Sequence, residues 1–142
     1  MAHANPSDDA LRKLLAEATV IAVVGASSNP DKTSNGIMRK LQSVGYRVIP
    51  VNPRETEVLG ERAYPSLIDV PERIDIVDVF RRAEDTPAIA DEAVTIGARA
   101  LWLQTGIVNE DAAARATAAG LIVVMDLCIG ATHSLLRVPR KP

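Results

Sequence analysis

Short apolar runs recur along this chain, separated by stretches in which apolar residues return every three or four positions. The runs predict strands at Val20–Val24, Tyr46–Val51, Ile74–Phe80, Arg99–Gln104 and Leu121–Met125. Between them the period changes to that of a helix. Ser7 is placed to cap a first helix, with Asp8 and Asp9 in its opening turn and Leu11, Leu14, Leu15 and Ala18 on one buried face. A second helix pattern begins near Ser34 and runs over Asn35–Val44, with Ile37, Met38, Leu41 and Val44 as its face and Gly45 as its stop. Thr86 caps a third, with Pro87 in its first turn and Ile89, Ala90, Ala93, Val94 and Ile96 carrying it to Gly97. Asn109 caps a fourth, with Glu110 and Asp111 behind it and Gly120 at its end. The segment from Asn52 to Leu67, rich in Pro, Gly and charge, reads as an extended loop with at most a short edge strand around Val58.

Strands that alternate with helices of this length imply right-handed crossovers and a parallel sheet. The expected fold is a Rossmann-like α/β three-layer sandwich with a mainly parallel sheet of about five strands, organised as a single domain over residues 1–142. Residues 1–18 form an N-terminal helix packed on the sheet, and 134–142 a C-terminal tail. Composition agrees. At 47% hydrophobic but only 3% aromatic, the core must be built from Val, Ile, Leu and Ala, as in parallel sheets covered by helices.

Charge and cysteine content remove several classes of function. With 16 basic and 18 acidic residues the formal charge is -2, which exerts no global pull on nucleic acid or an anionic membrane. Cys128 is the only cysteine, so there is no intramolecular disulfide framework, and two distant histidines without a C-x-x-C give no metal-site spacing. No apolar run approaches the roughly 20 residues that a bilayer requires, and MAHANPSDDA lacks a signal pattern. The expectation is a soluble cytoplasmic protein.

In a sheet of this kind, ligands bind beyond the carboxyl ends of the strands. The residues just after each predicted strand are therefore the candidates. After the first come Gly25, Ala26, Ser27 and Ser28, a turn of small residues whose backbone N–H groups can meet an oxyanion, with Lys32 and Ser34 at the following helix. The spacing fits neither familiar phosphate motif. After Gly25 the next glycine is Gly36, so no G-x-G-x-x-G is present; Lys32-Thr33 resembles the end of a Walker A loop, but six residues separate it from Gly25 and Asp31 replaces the second glycine.

After the second strand stand Asn52, Pro53 and Arg54. An NAD site usually has a carboxylate here; a cation two residues on suits a phosphorylated ribose, although Glu55 is next in the chain. Phe80, Arg81 and Arg82 follow the third, with Arg82 expected to pair with Glu84 or Asp85. Leu103, Gln104 and Thr105 close the fourth, and Asp126 and Cys128 follow the last. Asp126 is expected to orient the C-terminal loop. Trp102 reads as core, Cys128 as a small buried side chain and His133 as a surface residue.

The span from about Leu15 to His133 resembles the small CoA-binding proteins, a Rossmann-like family similar to the N-terminal CoA-binding domain of the succinyl-CoA synthetase alpha subunit. The likeness rests on VVGASSNPDKTSNGI, RVIPVNPRETEVLGERAYPSL, IDIVDVFRR, ALWLQTGI and VVMDLCIGATH, in that order. It implies coenzyme A or an acyl-CoA as ligand, no metal, and a pyrophosphate at Gly25–Ser28, with the adenosine lying across the loops after the second and third strands. Asn52, Pro53 and Arg54 would then border the 3'-phosphate, Lys32 would match the family's lysine, and Leu103, Gln104 and Thr105 would flank the pantetheine. Leu127 and Thr132 depart from the family pattern, which has arginine and glutamate there. Cys128 and His133 stand without a nucleophile, base and orienting acid at an interpretable spacing, so the chain is expected to bind its ligand without catalysis of its own. Two alternatives remain open from the residues: a small NADP-dependent oxidoreductase with Arg54 on the 2'-phosphate, or a nucleotide-responsive interaction module that binds a protein partner. Cys128, at the ligand edge, is also a candidate for a mixed disulfide with the CoA thiol.

Overall fold

The computed structural model describes residues 2–142; Met1, where the expected domain begins, lies outside them. Ser7 caps α1 (Asp8–Glu17) by accepting the Ala10 N–H, and Leu11, Leu14 and Leu15 turn inward. β1 (Val20–Val24), α2 (Thr33–Ser43) and β2 (Arg47–Val51) come next, in the expected order. The segment after β2 is more ordered than its composition suggests. It folds into a hairpin of β3 (Glu57–Val58) and β4 (Glu61–Arg62), whose two-residue turn holds both Leu59 and Gly60 at positive φ.

Then come β5 (Ile76–Val79), α3 (Thr86–Thr95), β6 (Ala100–Leu103), α4 (Glu110–Ala118), β7 (Ile122–Val124) and α5 (Ile129–Leu135). Most ends differ from expectation by a residue or two, as fraying and local turns dictate. The exception is α5. A seven-residue helix that contains a glycine and has Cys128 as its cap carries no strong start signal. The tail expected from residue 134 therefore begins two residues later, because Ser134 and Leu135 belong to the last turn of α5.

The main sheet is parallel throughout, in the order β2-β1-β5-β6-β7. Five parallel strands covered by helices form a Rossmann-like α/β fold. Alternation along the strands separates two cores. Val23, Ile76 and Trp102 pack with Leu14, Met38 and Ile129 from α1, α2 and α5. Val77, Val79, Leu101 and Leu103 pack with Ile89, Ala93 and Ala113 from α3 and α4. Since β1 leads outward to β2 and β5 leads the other way to β6, the chain order reverses between β1 and β5. Their carboxyl ends open a crevice there.

Two buried ionisable groups depart from simple packing. Asp78, beside Val23 and Trp102 in the sheet, is fully buried, and neither oxygen has a hydrogen-bond partner among the described residues. Burial pushes its carboxyl well above the usual carboxylate range, which favours the neutral acid. His133 is buried, not a surface residue, because α5 lays it edge-on against Tyr46 with ring centroids 5.9 Å apart. Burial, together with nearby Lys40 and Lys141, lowers its pKa. Trp102 is core, as expected, and its indole N–H donates to the Leu127 carbonyl at 2.9 Å.

Candidate functional site

The crevice is built around Gly25. Its N–H donates to Val51 O and the Phe80 N–H to Val24 O, both at 2.8 Å, so the turns after β1 and β5 lie against each other. Gly25 has φ +90°, and a Cβ there would sit 2.5 Å from the Phe80 carbonyl oxygen. Only glycine fits this position.

Two asparagines then aim the turn. Asn52 donates its side-chain N–H to the Ala26 carbonyl at 2.8 Å, and Asn35 donates to the Ser27 carbonyl at 2.9 Å. Asn35 is held in turn by Arg39, which donates to its Oδ1 at 2.7 Å. With those carbonyls engaged, the N–H groups of Ala26, Ser27, Thr33 and Ser34 have no partner among the described residues. Three of them, on Ser27, Thr33 and Ser34, line one cleft beside the start of an eleven-residue helix, a geometry in which free donors and the helix dipole favour an anion. Ser28 is turned elsewhere: its N–H and hydroxyl both donate to the Glu55 carboxylate, at 2.7 and 2.9 Å, which ties this turn to the loop after β2.

Three connected clefts run along this edge of the sheet. The central one, about 420 Å³, is lined by Gly25, Ser27, Lys32, Ser34, Asn52 and Phe80. On the α3 side lies one of about 340 Å³ between Val24, Val51, Pro53, Leu67, Arg81 and Ile89, joined to the first at Gly25. Toward β6 lies a third, about 530 Å³, reaching past Phe80, Arg81, Gln104 and Thr105 to Cys128, and joined to the first at Thr33 and Phe80. Ligand sites commonly measure about 300–1,000 Å³, so the three together suit an elongated molecule.

The remaining sequence candidates fall into place unevenly. Arg81 lines two of the clefts and lies 3.6 Å from Asp85, whereas Arg82 pairs with Glu84 at 3.3 Å and with Asp85 at 3.5 Å. Arg54 is exposed on the loop, where its N–H donates to Asn52 Oδ1. Leu103 is completely buried in the α3–α4 core, so its side chain is turned away from the groove. Gln104 is buried and structural as well as groove-lining, since its Oε1 accepts the Ile129 N–H at the start of α5. Asp126, at φ +60°, accepts the Gly106 N–H at 2.6 Å and thereby links the loops after β6 and β7. Cys128 is half-buried; its sulfur accepts the Ala131 N–H at 3.5 Å.

Sequence reasoning missed Asn35, whose role depends on a carbonyl eight residues earlier in a turn of unknown path. It also missed the α3 wall of the groove. Nothing in the spacing of Leu67, Ile89 and Glu92 reveals that a loop and a helix face one another.

A parallel sheet whose chain order reverses between β1 and β5, with a groove at the carboxyl ends there, defines a Rossmann-like protein. The chain belongs to the CoA-binding domain family, whose model, described as a CoA binding domain, matches residues 19–134. It is 42% identical over 133 residues to YneT of Bacillus subtilis, an uncharacterised protein, covering 94% of this chain and 98% of that one. Among solved structures it resembles a hypothetical protein from Pyrococcus horikoshii OT3, with a TM-score of 0.91 and 37% identity over 96% of this chain and 99% of the other. It is also 37% identical over 73 residues to acetate–CoA ligase (ADP-forming) I of Archaeoglobus fulgidus, which amounts to 51% of this chain but only 11% of the ligase. The chain is thus related to one region of a far longer enzyme.

Proposed function

We propose that this protein binds coenzyme A, free or acylated, extended along the groove, and carries out no catalysis of its own. The observation that carries this reading is the set of free N–H groups on Ser27, Thr33 and Ser34, all of which line the cleft beside Gly25. The pyrophosphate sits on these donors with Lys32 alongside. The adenosine extends over the loops after β2 and β5, and Arg54, whose side chain has no ion-pair partner among the described residues, swings onto the 3'-phosphate. The pantetheine passes Phe80, Gln104 and Thr105 toward Cys128. Membership of the CoA-binding domain family supports the choice of ligand.

Titration calorimetry with CoA, 3'-dephospho-CoA and NADP tests this assignment. CoA binds, removal of the 3'-phosphate weakens binding, and Arg54→Ala reduces that difference by about tenfold. Binding of NADP but not CoA would overturn the assignment in favour of an oxidoreductase.

A further inference from the structure

The cleft toward β6 brings a thiol and an unpaired amide together. Cys128 is half-buried and lines the cleft, with its sulfur oriented by the Ala131 N–H at 3.5 Å. Gln104 lines the same cleft. Its Oε1 accepts the Ile129 N–H at 3.0 Å, which sets the orientation of the amide, because only the oxygen can accept. The Nε2 end is left to the cleft: it has no partner among the described residues and is not sealed from solvent, although the residue as a whole is only 4% exposed.

An amide donor withdrawn from bulk water and left unpaired costs free energy that a ligand carbonyl recovers. The N–H that Gln104 holds belongs to the residue after Cys128, so a carbonyl bound at Nε2 lies near the thiol. The pantetheine arm of CoA ends in an amide, two methylenes and a thiol. With that amide carbonyl on Gln104, the CoA sulfur reaches toward Cys128. The chain has no second cysteine, so an oxidised Cys128 has no resolving thiol of its own, and the ligand supplies one.

We propose that Cys128 captures the thiol of bound CoA as a mixed disulfide when the protein meets a hydroperoxide. This rests on the CoA reading above and adds to it a covalent, redox-governed state of the same site. The Cys128 thiolate attacks the hydroperoxide, the O–O bond breaks, and the sulfur becomes a sulfenic acid while the displaced oxygen leaves as water or an alcohol. The CoA thiol then attacks that sulfur. An S–S bond forms, the S–O bond breaks, and hydroxide leaves with the thiol's proton as water. Two thiols together lose two electrons, and one hydroperoxide is reduced. A thiol held in the groove outcompetes thiols in solution because its encounter with Cys128 is intramolecular. The step is stoichiometric, and a free thiol reverses it by exchange.

The test is intact-mass spectrometry of the full chain treated with hydrogen peroxide and either CoA or an equal concentration of glutathione. Calorimetric titration of CoA into the reduced chain runs alongside. The expected product is a single adduct of CoA less two hydrogens, removed by dithiothreitol and formed at least about tenfold faster than the glutathione adduct. Equal rates with the two thiols, or no CoA adduct while calorimetry shows CoA bound, overturn the proposal and leave the CoA reading intact. Failure of the reduced chain to bind CoA removes that reading, and this proposal with it.

Discussion

Gly25 carries the tightest steric requirement in the site. Gly25→Ala forces a Cβ to within 2.5 Å of a carbonyl oxygen at a φ of +90°, so it should cost at least about 2 kcal/mol in urea unfolding and also distort the turn. Gly36 provides the contrast. It is exposed inside α2, and a Cβ there meets nothing within 4 Å, so Gly36→Ala should raise stability by about 0.5–1 kcal/mol in the same assay. Asp78 predicts a pH dependence. Its pKa is raised in the native state, so the folded chain retains a proton that the unfolded chain releases. Its contribution to stability is therefore fully present below about pH 4 and is lost as pH rises toward the elevated native value. Asp78→Asn, which stays neutral, should remove this loss, so that the urea midpoint of the variant gains on the wild type as pH rises from about 4 to about 8.

Among the elements, the turn after β1 depends on side chains from α2 and from the end of β2. Asn35→Ala and Asn52→Ala each release one carbonyl of the turn, and each should weaken CoA binding by about tenfold in titration calorimetry. A weaker effect would mean that the turn holds its shape unaided. The elements themselves differ in how far the sequence declares them. The strands and the first four helices are legible because each apolar face is contiguous, and in α1 and α4 the caps are local, Ser7 on Ala10 and Asn109 on Ala112. Helices α2 and α3 have no side-chain cap, and Thr86, expected to cap α3, lies inside it and donates its hydroxyl to the Ala83 carbonyl. The hairpin at Leu59–Gly60 and helix α5 are not legible. Both are held by tertiary partners: the Val51–Tyr64 bridge beside the hairpin, and Gln104 Oε1 accepting the Ile129 N–H at the foot of α5. His133 goes inside for the same reason, since only α5 directs it toward Tyr46.

At the scale of the whole molecule, the groove is legible in part. Its β1 side, from Gly25 through Lys32 and Ser34, follows from one strand, one turn and one helix, and the reversal of chain order beside it follows from the alternation of elements. The depth of the groove and its α3 wall require the loop at Leu67 to meet the helix at Ile89 across the sheet edge, a contact that no local pattern encodes. The continuity of the three clefts is what favours a long ligand over a compact one. It also predicts linkage between binding and folding: CoA at about a hundred times its Kd should stabilise the chain by about 2.7 kcal/mol, seen as a raised thermal midpoint. No helix of the described residues is long and apolar enough to cross a membrane. The most direct measurement is calorimetric titration of the intact chain with CoA and, in parallel, with NADP. Saturable binding of CoA with none of NADP is the predicted result, and heat from NADP alone, or from neither, would contradict it.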